Sequence, residues 1–235
     1  MKTIGLIGGM SWESTAIYYR HLNEAVRARF GGLRSAQVLL YSFDFDQVVQ
    51  LQRADRWNEA AELLADVARR LEAAGADLIL ICTNTMHLVY PQVQAAVTVP
   101  VLHIADTTAQ AVRAAGLNQV GLLATAFSME RSFLRERLEG HGLSVLVPEA
   151  DDRAEVHRVI FEELCQGVIR PESKAAYLEA AERLIERGAQ GILLGCTEIC
   201  MLISQADLEV PVFDTTRLHA LAALELALVP EPVEN

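Results

Sequence analysis

The chain has 235 residues, 51% of them apolar and 22% charged, and a formal net charge of −11. That length supports a sizeable core in one large domain or two small lobes, and the negative charge argues against nucleic acid and anionic membranes as partners. Lys2 and Lys174 are the only lysines, and neither sits in a desolvating context of the kind a pyridoxal phosphate Schiff base needs.

In chain order, Thr3–Ile7 is an apolar run too short for a secretory or membrane segment and is predicted as a first buried strand. The turn Gly8-Gly9-Met10-Ser11 follows, then a helix from Trp12. Further strands are predicted at Gln37–Tyr41, Leu78–Cys82, Val101–Ile104, Val120–Ala124, Val145–Val147, Gly191–Leu194 and Val212–Phe213. Amphipathic stretches at Asn58–Ala73, Thr107–Ala115, Met129–Glu139, Val156–Cys165 and Ser173–Arg187 predict helices between them. Apolar strands alternating with helices indicate buried parallel sheets, an α/β protein. An apolar helix at Leu218–Val229 and an acidic tail are compatible with a monomer or a homodimer. Cys82, Cys165, Cys196 and Cys200 form no Cys-x-x-Cys pair, which suits a reduced, cytoplasmic protein. The histidines show no metal-ligand spacing, and His87 reads as a helix-surface residue.

One passage occurs twice. RRLEAAGADLILICTNT at 69–85 is matched by ERLIERGAQGILLGCTE at 182–198, GLIGGMS at 5–11 by GLLATAFS at 121–128, and VPVLHIADTT at 99–108 by VPVFDTT at 210–216. The duplication predicts two pseudo-symmetric lobes, each a parallel sheet flanked by helices. The first lobe is expected over residues 1–98 plus 214–230, the second over 99–213, with a tail at 231–235. Ligands of open parallel sheets sit beyond the carboxyl ends of strands, so an active site is expected at the lobe interface. Counted from Gly75 and Gly188, the eighth residue on is Thr83 in one copy and Cys196 in the other.

Cys196 follows a predicted strand and precedes Thr197-Glu198. Unpaired N–H groups and a positive helix end there are expected to lower its thiol pKa. The turns at Gly8–Ser11 and Thr125–Ser128 are candidate carboxylate cradles, and a tight turn that needs glycine is an equal reading of the first.

These motifs (IGLIGGMSWEST at the start, CTNTMH at 82–87, IFEELCQG at 160–167 and GCTEI at 195–199) resemble the aspartate/glutamate racemase superfamily, nearest its broad-specificity amino-acid racemase branch. The resemblance runs to about Leu228. It implies an amino-acid racemase that uses no cofactor, in which two cysteines on opposite faces of the substrate Cα exchange its proton. It carries the catalytic roles to Thr83 and Cys196. Substrate contacts are expected from Met10, Gln52, Thr83, Asn84, Thr85, Thr125, Thr197 and Glu198.

The chain departs from that pattern in two places. The family's first cysteine position is Thr83, since Cys82 aligns with Gly195 and should point away into packing. A hydroxyl is a far weaker acid than a thiol of pKa about 8.5, so Cys196 is expected to act on L-amino acids and Thr83 to deprotonate poorly. The distal-carboxylate Arg and Lys of the aspartate racemases are also missing: Tyr41–Gln52 holds no Arg, and Cys165 stands at the Lys position. Gln52 or Arg53 could compensate, although Gln52 reads equally as solvated helix surface. Substrates are therefore expected among Asp, Glu or other polar amino acids. Two alternatives stay open: a single-cysteine decarboxylase or isomerase of small diacids, and a non-catalytic amino-acid-binding protein.

Overall fold

The alternating pattern forms eight strands and ten α-helices among residues 1–229, which are those the structure, a computed structural model, describes. The expected tail at 231–235, and residue 230, lie outside them. Four strands, β1 (Ile4–Gly8), β2 (Val38–Ser42), β3 (Leu78–Ile81) and β4 (Val101–Leu102), form a parallel sheet in the order β2-β1-β3-β4. The other four, β5 (Gln119–Ala124), β6 (Ser144–Leu146), β7 (Ile192–Gly195) and β8 (Val212–Asp214), form a second parallel sheet in the order β6-β5-β7-β8. The two orders are the same once each sheet is counted from its own first strand.

Register carries the correspondence to single residues. Leu6 pairs with Leu80 in the first sheet, and Leu122 pairs with Leu193 in the second. Three residues beyond Leu80 and Leu193 stand Thr83 and Cys196, so hydrogen bonding and sequence repeat agree on their equivalence.

The Gly-Ala breaks of the repeat are helix ends. After α3 (Trp57–Ala73), Gly75 has φ +96°, its N–H bonds the carbonyl of Glu72, and the Ala76 N–H bonds that of Leu71. After α9 (Pro171–Glu186), Gly188 has φ +100°, its N–H bonds Ile185 and the Ala189 N–H bonds Leu184. Both are Schellman caps, which need a residue in the left-handed region and so select glycine.

The chain divides into two compact units. The first comprises Met1–Cys82, Val89–His103 and the described residues from His219 onward; the second comprises Thr83–Leu88 and Ile104–Leu218. The sequence ends the first lobe at residue 98. The structure carries it to His103, because Val101–Leu102 hydrogen-bonds beside β3. The return to the first unit comes at His219, inside α10 (Thr215–Leu228), rather than at 214. Met129–Glu139, expected as one helix, is α6 (Ala126–Glu130) and α7 (Ser132–Gly140), parted at Arg131, which is extended.

In the first unit α1 (Trp12–Phe30) buries Tyr18, Leu22 and Val26 with Ile4, Leu6 and Leu80 and the α10 residues Ala220, Ala223 and Leu224. In the second unit β5 and β7 pack with Val156, Val159 and Ile160 of α8 (Ala150–Glu162), Tyr177, Ala180 and Leu184 of α9, and Ala105, Ala109 and Val112 of α5 (Ile104–Ala114). Two short helices had no sequence-level prediction: α2 (Phe45–Arg53), capped by Asp44, and α4 (Tyr90–Ala95). No described helix is long and apolar enough to cross a membrane.

Candidate active site

Seven of the nine predicted site residues belong to the second unit: Thr83, Asn84, Thr85, Thr125, Cys196, Thr197 and Glu198. Met10 and Gln52 belong to the first, where both are buried. Burial excludes the solvated-surface reading of Gln52, which the amphipathic turn of α2 places on its inner face with Val48.

Cys196 ends β7 in extended conformation (φ −145°, ψ 135°). Its thiol donates to Oε2 of the buried Glu198 at 3.0 Å. The expected lowering of its pKa does not occur. Burial first, then the negative charge of Glu198 and the neighbouring Cys165, push the thiol well above the ordinary cysteine value. Burial disfavours the charged thiolate whatever follows the strand, and the segment after Cys196 is a short 3₁₀ turn, Thr197–Met201, rather than the α-helix start expected there. Cys196 is therefore a protonated thiol hydrogen-bonded to a base.

Cys82 is fully buried among Ile4, Leu6, Tyr18 and Leu80, and burial alone raises its thiol pKa strongly. Its side chain goes to the core as expected, although β3 ends at Ile81, whereas the next residue, Thr83, is partly exposed.

The loop after β3 is held by side-chain hydrogen bonds. Asn84 Nδ2 donates to Thr215 Oγ1 at 3.1 Å, and Thr215 Oγ1 donates to the Leu194 carbonyl at 2.8 Å. Because the Thr215 proton is committed to Leu194, Thr215 can only accept from Asn84, which fixes the amide orientation. Asn84 Oδ1 is left buried without a partner. Thr85 Oγ1 lies 3.0 Å from Thr125 Oγ1 and 3.4 Å from Ser128 Oγ, a cluster of three buried hydroxyls. Thr216 Oγ1 donates to Thr197 Oγ1 at 3.2 Å.

Both candidate carboxylate turns have backbone donors already in use. The Gly9 N–H bonds Thr15 Oγ1 at 2.8 Å, the Ala126 N–H bonds His157 Nδ1 at 3.2 Å, and the Ser128 N–H bonds Thr125 Oγ1. Gly9 has φ +81°, and a Cβ there would come 2.3 Å from the Phe43 nitrogen. The glycine is thus required by the turn itself.

His87 is buried, not a surface residue, and both its ring nitrogens are bonded. Sequence reasoning also passes over Thr215 and Thr216, although the Asp-Thr-Thr echo contains them. Among the described residues no group of three or more His, Cys, Asp or Glu is arranged to hold a metal ion.

The model of the Asp/Glu/hydantoin racemase family matches residues 7–223. A candidate Asp/Glu racemase from Yersinia pestis superposes with a TM-score of 0.91 at 50% identity, over 97% of this chain and 100% of that one. An aspartate racemase homologue from Pyrococcus horikoshii OT3 gives 0.86 at 37%, over 97% and 99%. The broad specificity amino-acid racemase RacX of Bacillus subtilis (strain 168) is 22% identical over 96% of this chain and 98% of its own length.

Proposed function

Because this chain belongs to the Asp/Glu/hydantoin racemase family and is an amino-acid racemase, we propose that Cys196 is the base for L-amino acids and Thr83 serves the opposite face of Cα. The observation that carries this reading is the Cys196 thiol donating to Glu198 at the end of β7. Glu198 takes the thiol proton, and the thiolate then removes the α-proton of the L isomer. The electron pair left on Cα collects a proton from the other side, passed from water through the Thr83 hydroxyl. The removed α-proton stays on the Cys196 sulfur, and the proton held by Glu198 returns through solvent to the hydroxide left by that water, so no atom is gained or lost and the product is the D isomer.

Asn84 Oδ1 supports an amino-acid substrate. A buried acceptor without a donor costs about 1–3 kcal/mol, which an α-ammonium group would offset. Asn84→Ala is expected to raise KM roughly tenfold or more, with a smaller change in kcat, since hydrogen bonds to charged groups contribute about 1.5–3 kcal/mol.

Cys165 packs on the same core as Cys196 and brings no positive charge. This favours neutral polar side chains over a second carboxylate, which is normally secured by a cation. The equilibrium between enantiomers fixes the ratio of their kcat/KM values, so the L preference appears in kcat and KM separately. A screen of common L-amino acids in D₂O, following loss of the α-proton signal, identifies the substrate. Cys196→Ala should lose that exchange by about 10²–10⁴-fold, the usual weight of a positioned base. Rapid exchange of the D isomer by the same variant would overturn the assignment. Decarboxylation of malonates without racemisation would establish the diacid alternative instead.

A further inference from the structure

We infer that His87 is a positioning residue that aims Thr83, an inference that rests on the role given to Thr83 above. The chain turns sharply after β3: Cys82–Asn84 form a bend and Thr85–Val89 a 3₁₀ turn. In that turn the His87 N–H bonds the Asn84 carbonyl three residues back, so it is not available to Thr83, four back, as it would be in an α-helix. The imidazole takes over that carbonyl. His87 Nδ1 lies 2.8 Å from the Thr83 oxygen, while Nε2 lies 3.2 Å from the Ile104 nitrogen at the start of α5.

The backbone groups fix the tautomer. A carbonyl can only accept and an N–H can only donate, so Nδ1 carries the proton and Nε2 presents its lone pair. The ring is a rigid strut from the first residue of α5 to the carbonyl of Thr83. Asn84, through Thr215 and Leu194, ties the next residue of the loop to β7, the strand that ends at Cys196. Thr83 is thus held on its own carbonyl by a single buried ring. Loosening it should disturb the proton delivered from the Thr83 face and leave abstraction by Cys196 nearly intact.

Two isosteric variants separate the two halves of the strut. Asn at position 87 can reproduce the Nδ1 donor to Thr83, and Gln can reproduce the Nε2 acceptor for Ile104. With the L substrate in D₂O, α-proton loss from the L isomer reports Cys196, and chiral chromatography of the D product reports delivery on the opposite face. His87→Gln should lower the ratio of D formation to exchange about tenfold, within the cost of a misplaced reacting group. His87→Asn should keep that ratio near the parent value, and Tm is read for both. Parallel loss of exchange and D formation in both variants, or an unchanged ratio in His87→Gln, would overturn the inference and leave His87 as packing. Thr83→Ala tells the two failures apart: if it leaves the ratio unchanged, the role of Thr83 itself is wrong, whereas a lowered ratio there with none in His87→Gln rejects only the strut.

Discussion

At Cys196 two influences act in the same direction. Burial disfavours the thiolate, and the Glu198 carboxylate, 3.0 Å from the sulfur, disfavours it further. Alkylation of Cys196 by iodoacetamide is therefore expected to rise with pH through an inflection above the ordinary cysteine value of about 8.5. Glu198→Gln removes the charge but not the burial, so its inflection should move down while racemisation falls, because the acceptor of the thiol proton is gone. An unchanged inflection in that variant would show that Glu198 does not set the acidity. Cys82 offers the contrast within one chain. Cys82→Ser should leave the chemistry alone and cost about 1–3 kcal/mol of stability, since a hydroxyl replaces a thiol in an apolar core. Denaturant unfolding together with the exchange assay checks both halves.

At the level of elements, strands and long helices were legible because their signals are local. Apolar runs located all eight strands to within a residue or two, and the twin Schellman caps explain why the Gly-Ala breaks before β3 and β7 recur. The short pieces were not legible. Helix α2 is nine residues long and starts at the Asp44 cap, and α4 is six residues long. The surroundings of Cys196 matter most, because burial and then the Glu198 charge reversed the expected sign for its thiol. Glycine substitutions should rank by what surrounds them. Gly75→Ala faces open space and pays mainly for its left-handed φ, about 1–2 kcal/mol. Gly9→Ala adds a collision with the Phe43 backbone and should lose about 2–4 kcal/mol. Thermal or denaturant unfolding of the two variants tests the order.

For the molecule as a whole, acid stability follows its paired carboxylates. Buried Glu163 accepts from Ser173 Oγ at 2.6 Å and from Arg158 at 3.0 Å, and the serine bond and then the arginine charge outweigh burial and lower its pKa. A carboxyl depressed on folding adds stability above its unfolded value, about 4.3 for Glu, and loses it as pH falls through the folded value. Glu163→Gln should cost about 2 kcal/mol at neutral pH and flatten the loss of stability below about pH 4. An acid limb as steep as the parent's would assign that loss to other carboxylates. The sequence by itself determined the α/β class, the duplication into two similar lobes and the equivalence of Thr83 and Cys196 in the repeat, because periodicity, caps and an internal repeat are written along the chain. The tertiary structure alone decided that Cys196 is a protonated thiol facing Glu198, that Gln52 and His87 are buried, and that Asn84 holds a buried acceptor without a donor. Those properties depend on burial and on partners as many as 131 residues apart, as Asn84 and Thr215 are, and no local pattern encodes them.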